Sequence, residues 1–90
     1  MGPTPPTNYR VIVENGIKTL FFDNSSNDVN ETEIKVELEG QFVSIGKTTT
    51  NNIAVPPHVN GKRATQGAAR GLGGGWGMYN NPPVIVDYLA

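Results

Sequence analysis

The first half of the chain reads as short runs that alternate or are β-branched, punctuated by turn residues. Residues 9–13 and 17–22 are rich in Val, Ile, Leu, Phe and Tyr, and they flank Asn15-Gly16. Asn-Gly is the preferred pair for a two-residue hairpin turn, because both positions need positive φ. Such a turn sets Val13 opposite Lys18, Val11 opposite Leu20 and Tyr9 opposite Phe22. Tyr9, Val11, Val13, Leu20 and Phe22 then share one face. Arg10, Ile12, Thr19 and Phe21 take the other, a face apolar enough to expect partial cover. A polar stretch of Asp, Asn and Ser at 23–30 favours local turns over ladders. Residues 32–38 and 41–45 flank Glu39-Gly40 and predict a second hairpin. It pairs Val36 with Val43 and Ile34 with Ile45, with Lys35, Glu37, Phe42 and Ser44 on the opposite face.

After Gly46 the pattern changes. Residues 47–52 are a polar Thr/Asn run, and 53–55 predict a short strand stopped by Pro56-Pro57. Between 59 and 81 neither a two-residue nor a 3.6-residue period stands out. Six of the eleven glycines lie between 67 and 77. A structureless loop this long is unusual inside a compact domain, so it reads as functional or as ordered by a neighbour. Residues 64–72 have room for a turn or two of helix. The chain closes on an apolar run at 84–89, after Pro82-Pro83. At the other end, three prolines in residues 3–6 exclude a helix or a central strand and predict an extended arm.

These elements predict an all-β fold: a small antiparallel sandwich or partly open barrel built from two hairpins. The expected organisation is an arm at 1–8, a β core at 9–55, a Gly-rich basic loop at 56–81 and a C-terminal strand or tail at 82–90. Ninety residues make one domain, and a chain of this size is marginal alone. The apolar fraction is 37%, and no cysteine is present for disulfides or thiolate metal sites. Stabilisation by partners is therefore expected.

Charge is split along the chain. Residues 1–39 hold seven acids and three bases, a balance of −4; residues 40–90 hold four bases and one acid, a balance of +3. Acidic and basic parts of neighbouring copies can meet, or the halves can neutralise each other within one fold. The N-terminus lacks the basic and apolar regions of a secretory signal, and no apolar run approaches a membrane span. Asn24-Ser25-Ser26 and Asn30-Glu31-Thr32 match glycosylation sequons and, without a signal, read as polar loop.

Catalytic motifs fail on spacing or context. Gly46-Lys47-Thr48 resembles the end of a phosphate-binding loop, but Gly40 stands one residue too far upstream and the Thr/Asn run that follows is poor helix material. Gly71 and Gly73 are followed by Trp76 where a dinucleotide fingerprint needs its last glycine. His58 has no carboxylate near it in sequence to form a triad or metal site. Glu31 with Glu33, and Glu37 with Glu39, share strand faces and read as solvated acids. No catalytic residue, cofactor or metal is expected.

Residues 61–77 combine Lys62, Arg63 and Arg70 with flexible glycines and Trp76, and Tyr79 follows. Basic Gly-rich segments with aromatics bind single-stranded nucleic acid by phosphate contact and stacking. The same residues also suit a protein interface, where Trp is an enriched anchor. The net charge of −1 favours the interface. The expectation is thus a non-enzymatic structural assembly protein. In plan it resembles small virion proteins, such as phage capsid decoration (cement) or minor capsid proteins, though no motif carries that resemblance. It would be assembled in the host cytoplasm and bind neighbours in a capsid-like shell, or copies of itself as a homo-oligomer. The expected partner-binding residues are Pro3, Pro5 and Pro6 of the arm, Lys62, Arg63, Arg70, Trp76 and Tyr79 of the loop, and Val84, Val86 and Tyr88 of the tail. The last three would add a strand to a neighbour's sheet. The alternative is a nucleic-acid-binding β module using Lys62, Arg63, Arg70, Trp76 and Tyr79.

Overall fold

A computed structural model describes residues 2–89. Among the described residues seven strands form in chain order: β1 (Thr7–Glu14), β2 (Ile17–Asp23), β3 (Val29–Leu38), β4 (Gln41–Thr48), β5 (Asn52–Ala54), β6 (Lys62–Gly71) and β7 (Val84–Asp87). They make two antiparallel sheets, one ordered β1-β2-β5 and the other β4-β3-β6-β7. The sheets face each other across Leu20 and Phe22 of β2 and Ile34 and Val36 of β3, with Val55, Val59, Val86 and Tyr88 closing the core. The fold is all-β, a two-sheet antiparallel sandwich, as the hairpin patterns predict.

Both hairpin turns form. Asn15 and Gly16 have φ of 51° and 78°, and Glu39 and Gly40 have 54° and 86°. Val11 faces Leu20, Val13 faces Lys18, and Val36 faces Val43, as the turn spacing dictates. Two registers differ from expectation. A bulge at Asn8 (φ 57°) leaves Tyr9 without a ladder partner, although its ring still meets Phe22 with centroids 6.2 Å apart. A second bulge leaves Ile45 unpaired and sets Ile34 opposite Gly46. That extra residue shifts parity, so Ser44 and Lys47 both reach the outer face.

The long Gly-rich loop expected at 56–81 is corrected. Residues 62–71 are a central strand, β6, paired with β3 on one side. On its other side β7 pairs with Lys62–Thr65, which places the C-terminal strand within its own chain. Beyond β7 the same edge is covered by residues 76–80, which return after a turn. Gly77 N–H donates to Ala69 O at 2.8 Å, and Asn80 N–H donates to Gly67 O at 3.2 Å. The peptide between Asn81 and Pro82 is cis.

The reason β6 escapes a periodicity reading is that its inward positions are small: Thr65, Gly67 and Ala69. The space above them is filled from elsewhere. A Cβ at Gly67 would lie 2.5 Å from Tyr9 Oη, 2.8 Å from Pro6 Cγ and 3.0 Å from Ile34 Cδ1. Only glycine fits.

The arm is therefore not free. Pro6 is fully buried, and Gly2 and Pro3 lie against Trp76 and Gly77. Asn80, itself buried, ties the segments together. Its Oδ1 accepts from Tyr9 O–H at 2.6 Å and from Gly67 N–H at 2.8 Å, and its Nδ2 donates to Pro6 O at 2.9 Å. Each of these is a buried polar group that would otherwise be unpaired. Lys18, also buried, donates through Nζ to Val59 O and, at 2.6 Å, to Asn60 Oδ1, fixing the loop after β5.

Candidate interaction surface

The outer face of the four-stranded sheet is built from alternate residues of three strands. Glu31, Glu33, Lys35 and Glu37 of β3 point outward because Thr32, Ile34 and Val36 point in. β6 adds Gln66, Ala68 and Arg70, and β4 adds Phe42, Ser44 and Lys47. Trp76 and Tyr79, on the returning segment, reach this face beside Arg70 and Glu33, and Ala68 on it is buried.

Cations and rings interleave here. Lys35 Nζ stands 4.8 Å from the Tyr79 ring centroid. Lys47 Nζ and Arg70 Cζ stand 5.4 Å and 5.9 Å from the Trp76 ring. Each such contact contributes a fraction of a kcal/mol at a partly exposed site, about 0.5–1. The acids lock the arrangement. Arg70 binds Glu31 Oε1 through Nε at 3.1 Å and Nη2 at 2.8 Å. Tyr79 O–H donates to Glu33 Oε1 at 2.7 Å, and Ser44 O–H donates to Glu33 Oε2 at 3.0 Å. Partial burial pushes the Glu33 carboxyl up, but these two hydrogen bonds, with Lys35 and Lys47 nearby, outweigh it and hold the group below the usual range. Partial burial and the Glu33 carboxylate push the Tyr79 hydroxyl up. Trp76 remains 40% exposed. The result is two aromatic rings, each held by cations, on one mixed-charge surface.

The expected partner residues do not all converge. Arg70, Trp76 and Tyr79 meet on this face. Lys62 lies at the other end of β6, about 26 Å from Arg70 at 3.3 Å per residue. Arg63 has the opposite parity from Arg70, and its Nε donates to Asn60 O at 3.0 Å. It lines an open cleft of about 630 Å³ of mixed character, with Leu38, Val43, Glu39, Gln41 and His58. Pro3 and Pro5 border a small crevice of about 270 Å³ beside Trp76 and Met78. Pro6, Val86 and Tyr88 are in the core and unavailable to a partner; Tyr88 Oη shares a 2.6 Å hydrogen bond with Thr65 Oγ1. The burial of Val86 and Tyr88 follows from β7 pairing inside the chain, and Pro6 is buried over Gly67 of β6. Val84, by contrast, is exposed on β7. Sequence reasoning missed Lys35, Lys47, Glu31 and Glu33. The even spacing on β3 marks the outward positions, but only the folded β6 shows what lies across from them.

A three-plus-four antiparallel sandwich is an architecture that immunoglobulin and fibronectin type III domains also use. Among solved structures, this chain is similar to an Fn3-like protein from Clostridium thermocellum, with a TM-score of 0.68 and 18% identity over 100% of this chain and 97% of that one. At that identity the likeness shows the fold alone. No family model matches the chain, and no curated protein does.

Proposed function

We propose that this protein is a non-enzymatic interaction module that joins a larger protein assembly through the outer face of its four-stranded sheet. The observation that carries the reading is Trp76, held in place by Lys47 and Arg70 yet 40% exposed, on the same face as Tyr79. Trp, Tyr and Arg are the residues enriched where binding energy concentrates. Their geometry is fixed before any partner arrives, which lowers the entropic cost of docking. The arm, by contrast, no longer supports a role in reaching across to neighbours, because it is packed on its own chain. A virion shell is one setting for such a module, proposed on size and composition.

The nucleic-acid reading loses Lys62 and Arg63, which lie away from the aromatic pair. The three cations that do flank the rings are interleaved with Glu31 and Glu33, so the face offers little net positive charge to a phosphate backbone.

The test is the mass of the native species in source cells. Wild-type chain is expected in a high-mass complex from which Trp76→Ala releases it, while the variant keeps the wild-type melting temperature within a few degrees. Retention of Trp76→Ala in the same complex would contradict the reading. So would salt-sensitive oligonucleotide binding that Lys47→Ala and Arg70→Ala abolish.

A further inference from the structure

The three-stranded sheet ends on β1, an open edge. Its hydrogen-bonding direction follows from the turn. Glu14 and Ile17 flank the two-residue loop and exchange both of their backbone hydrogen bonds, so Glu14, Ile12 and Arg10 bond inward to β2. The N–H and C=O groups of Val11 and Val13 therefore point outward along the edge.

The residues on this edge read Arg10-Val11-Ile12-Val13-Glu14. In antiparallel pairing about Ile12 the run complements itself. Arg10 falls opposite the partner's Glu14, Val11 opposite the partner's Val13, and Ile12 opposite the partner's Ile12. The outward groups of Val11 and Val13 then meet their counterparts as a hydrogen-bonded pair, and the central Ile12 pair is the non-bonded one. Register and charge thus agree. The outer face adds apolar surface on both sides of the axis, since Ile12 is 46% and Ile17 66% exposed, and Phe21 lies in the next strand. Arg10 already bonds Asp23 Oδ1 at 3.1 Å and Asn8 O at 2.8 Å, but both contacts use Nη1. Nη2 and Nε are left to meet a carboxylate from the partner.

We propose that β1 pairs with β1 of a second copy across a two-fold axis at Ile12, joining the two three-stranded sheets into one six-stranded sheet. The interface is isologous, so each contact occurs twice. An unpaired apolar edge strand is a template for such addition. This dimer is independent of the Trp76 face, which lies on the other sheet.

Sedimentation of the purified full chain between about 1 μM and about 1 mM, the span of weak complexes, tests it. The mass is expected to rise from one chain toward two. Val13→Pro removes an outward N–H without touching the β2 ladder, and should weaken association at least tenfold with the fold intact by circular dichroism. Arg10→Glu and Glu14→Arg each set like charges opposite one another twice and should each be monomeric. Mixed together, these two variants should pair, because every facing position is again opposite in charge. The Arg10→Glu/Glu14→Arg double variant should recover self-association. Ile12→Cys provides a readout that does not depend on affinity. In a non-bonded antiparallel pair Cα atoms are about 4.5 Å apart, within disulfide range, and the chain has no other cysteine. It should give a covalent dimer on mild oxidation. A single-chain mass throughout the range, or failure of the two charge variants to associate with each other, would overturn the proposal.

Discussion

β3 and β6 lie side by side at the centre of the same sheet and reach the core by opposite means. β3 fills it with Thr32, Ile34 and Val36, each fully buried. β6 leaves room for it, with Thr65, Gly67 and Ala69. Over β6 the core consists of Pro6, Tyr9, Asn80 and Tyr88, which come from both ends of the chain. A strand can be central because of what it contributes or because of what it admits, and only the first kind carries a hydrophobic period. The two strands should therefore fail differently: β3 when atoms are removed, β6 when atoms are added.

The largest expected effect is on β6. Gly67→Val places atoms where Tyr9, Pro6 and Ile34 already stand, and breaks the contacts that Asn80 holds. Overpacking of this kind costs about 3 kcal/mol or more, a large part of the stability of a domain this size. At β3 the same position in the layer responds in reverse. Ile34→Val, which removes one buried methylene, should cost about 1 kcal/mol. Chemical denaturation of the two variants checks the contrast. Equal losses for both would break it.

Asn80→Ala sharpens the comparison, because it removes the tie without changing core volume over β3. Tyr9 O–H, Gly67 N–H and Pro6 C=O would all lose their partner, at a cost of about 2–3 kcal/mol. The loss should be accompanied by faster exchange of arm and edge amides, read by NMR. Unchanged exchange there would show that the arm is held by other contacts.

Alkaline titration probes the same borrowed core. Burial pushes the Tyr88 hydroxyl up to about 12, with the Thr65 hydrogen bond only partly opposing it, and burial pushes Tyr9 up as well. For an acid whose folded-state pKa is raised, the protonated folded form is favoured. Its contribution is complete below the ordinary value of about 10 and is lost as pH rises from there through about 12. For Tyr88 a rise from about 10 to about 12 amounts to about 3 kcal/mol. Tyr88→Phe should flatten the decline in stability above pH 10; an unchanged slope would contradict the assignment.

Most of the sandwich was legible because its hairpins carry their own signals. Asn15-Gly16 and Glu39-Gly40 mark the turns, and alternation assigns the faces of β1 to β4. β6 was not legible, since Thr65, Gly67 and Ala69 look like loop until Pro6 and Tyr9 are placed above them. The candidate surface was half legible for the same reason. Trp76, Tyr79 and Arg70 stand out by residue type. Their union with Lys35, Lys47, Glu31 and Glu33 depends on β6 pairing with β3, which no local pattern announces. The prolines of the arm signalled extension correctly, but not that the surface they lie on belongs to the same chain.

The chain orders its own arm and its own Gly-rich segment, and the Trp76 face is the surface proposed for partners. Native-state amide exchange on the isolated full chain tests it most directly. Gly67, Gly77 and Asn80 N–H groups, which donate to Asn80 Oδ1, Ala69 O and Gly67 O, are predicted to be protected to a degree comparable with the amides of β3. Exchange of these three at unprotected rates, while β1 to β4 remain protected, would contradict the account and return the arm and the Gly-rich segment to the role of parts that need a neighbour.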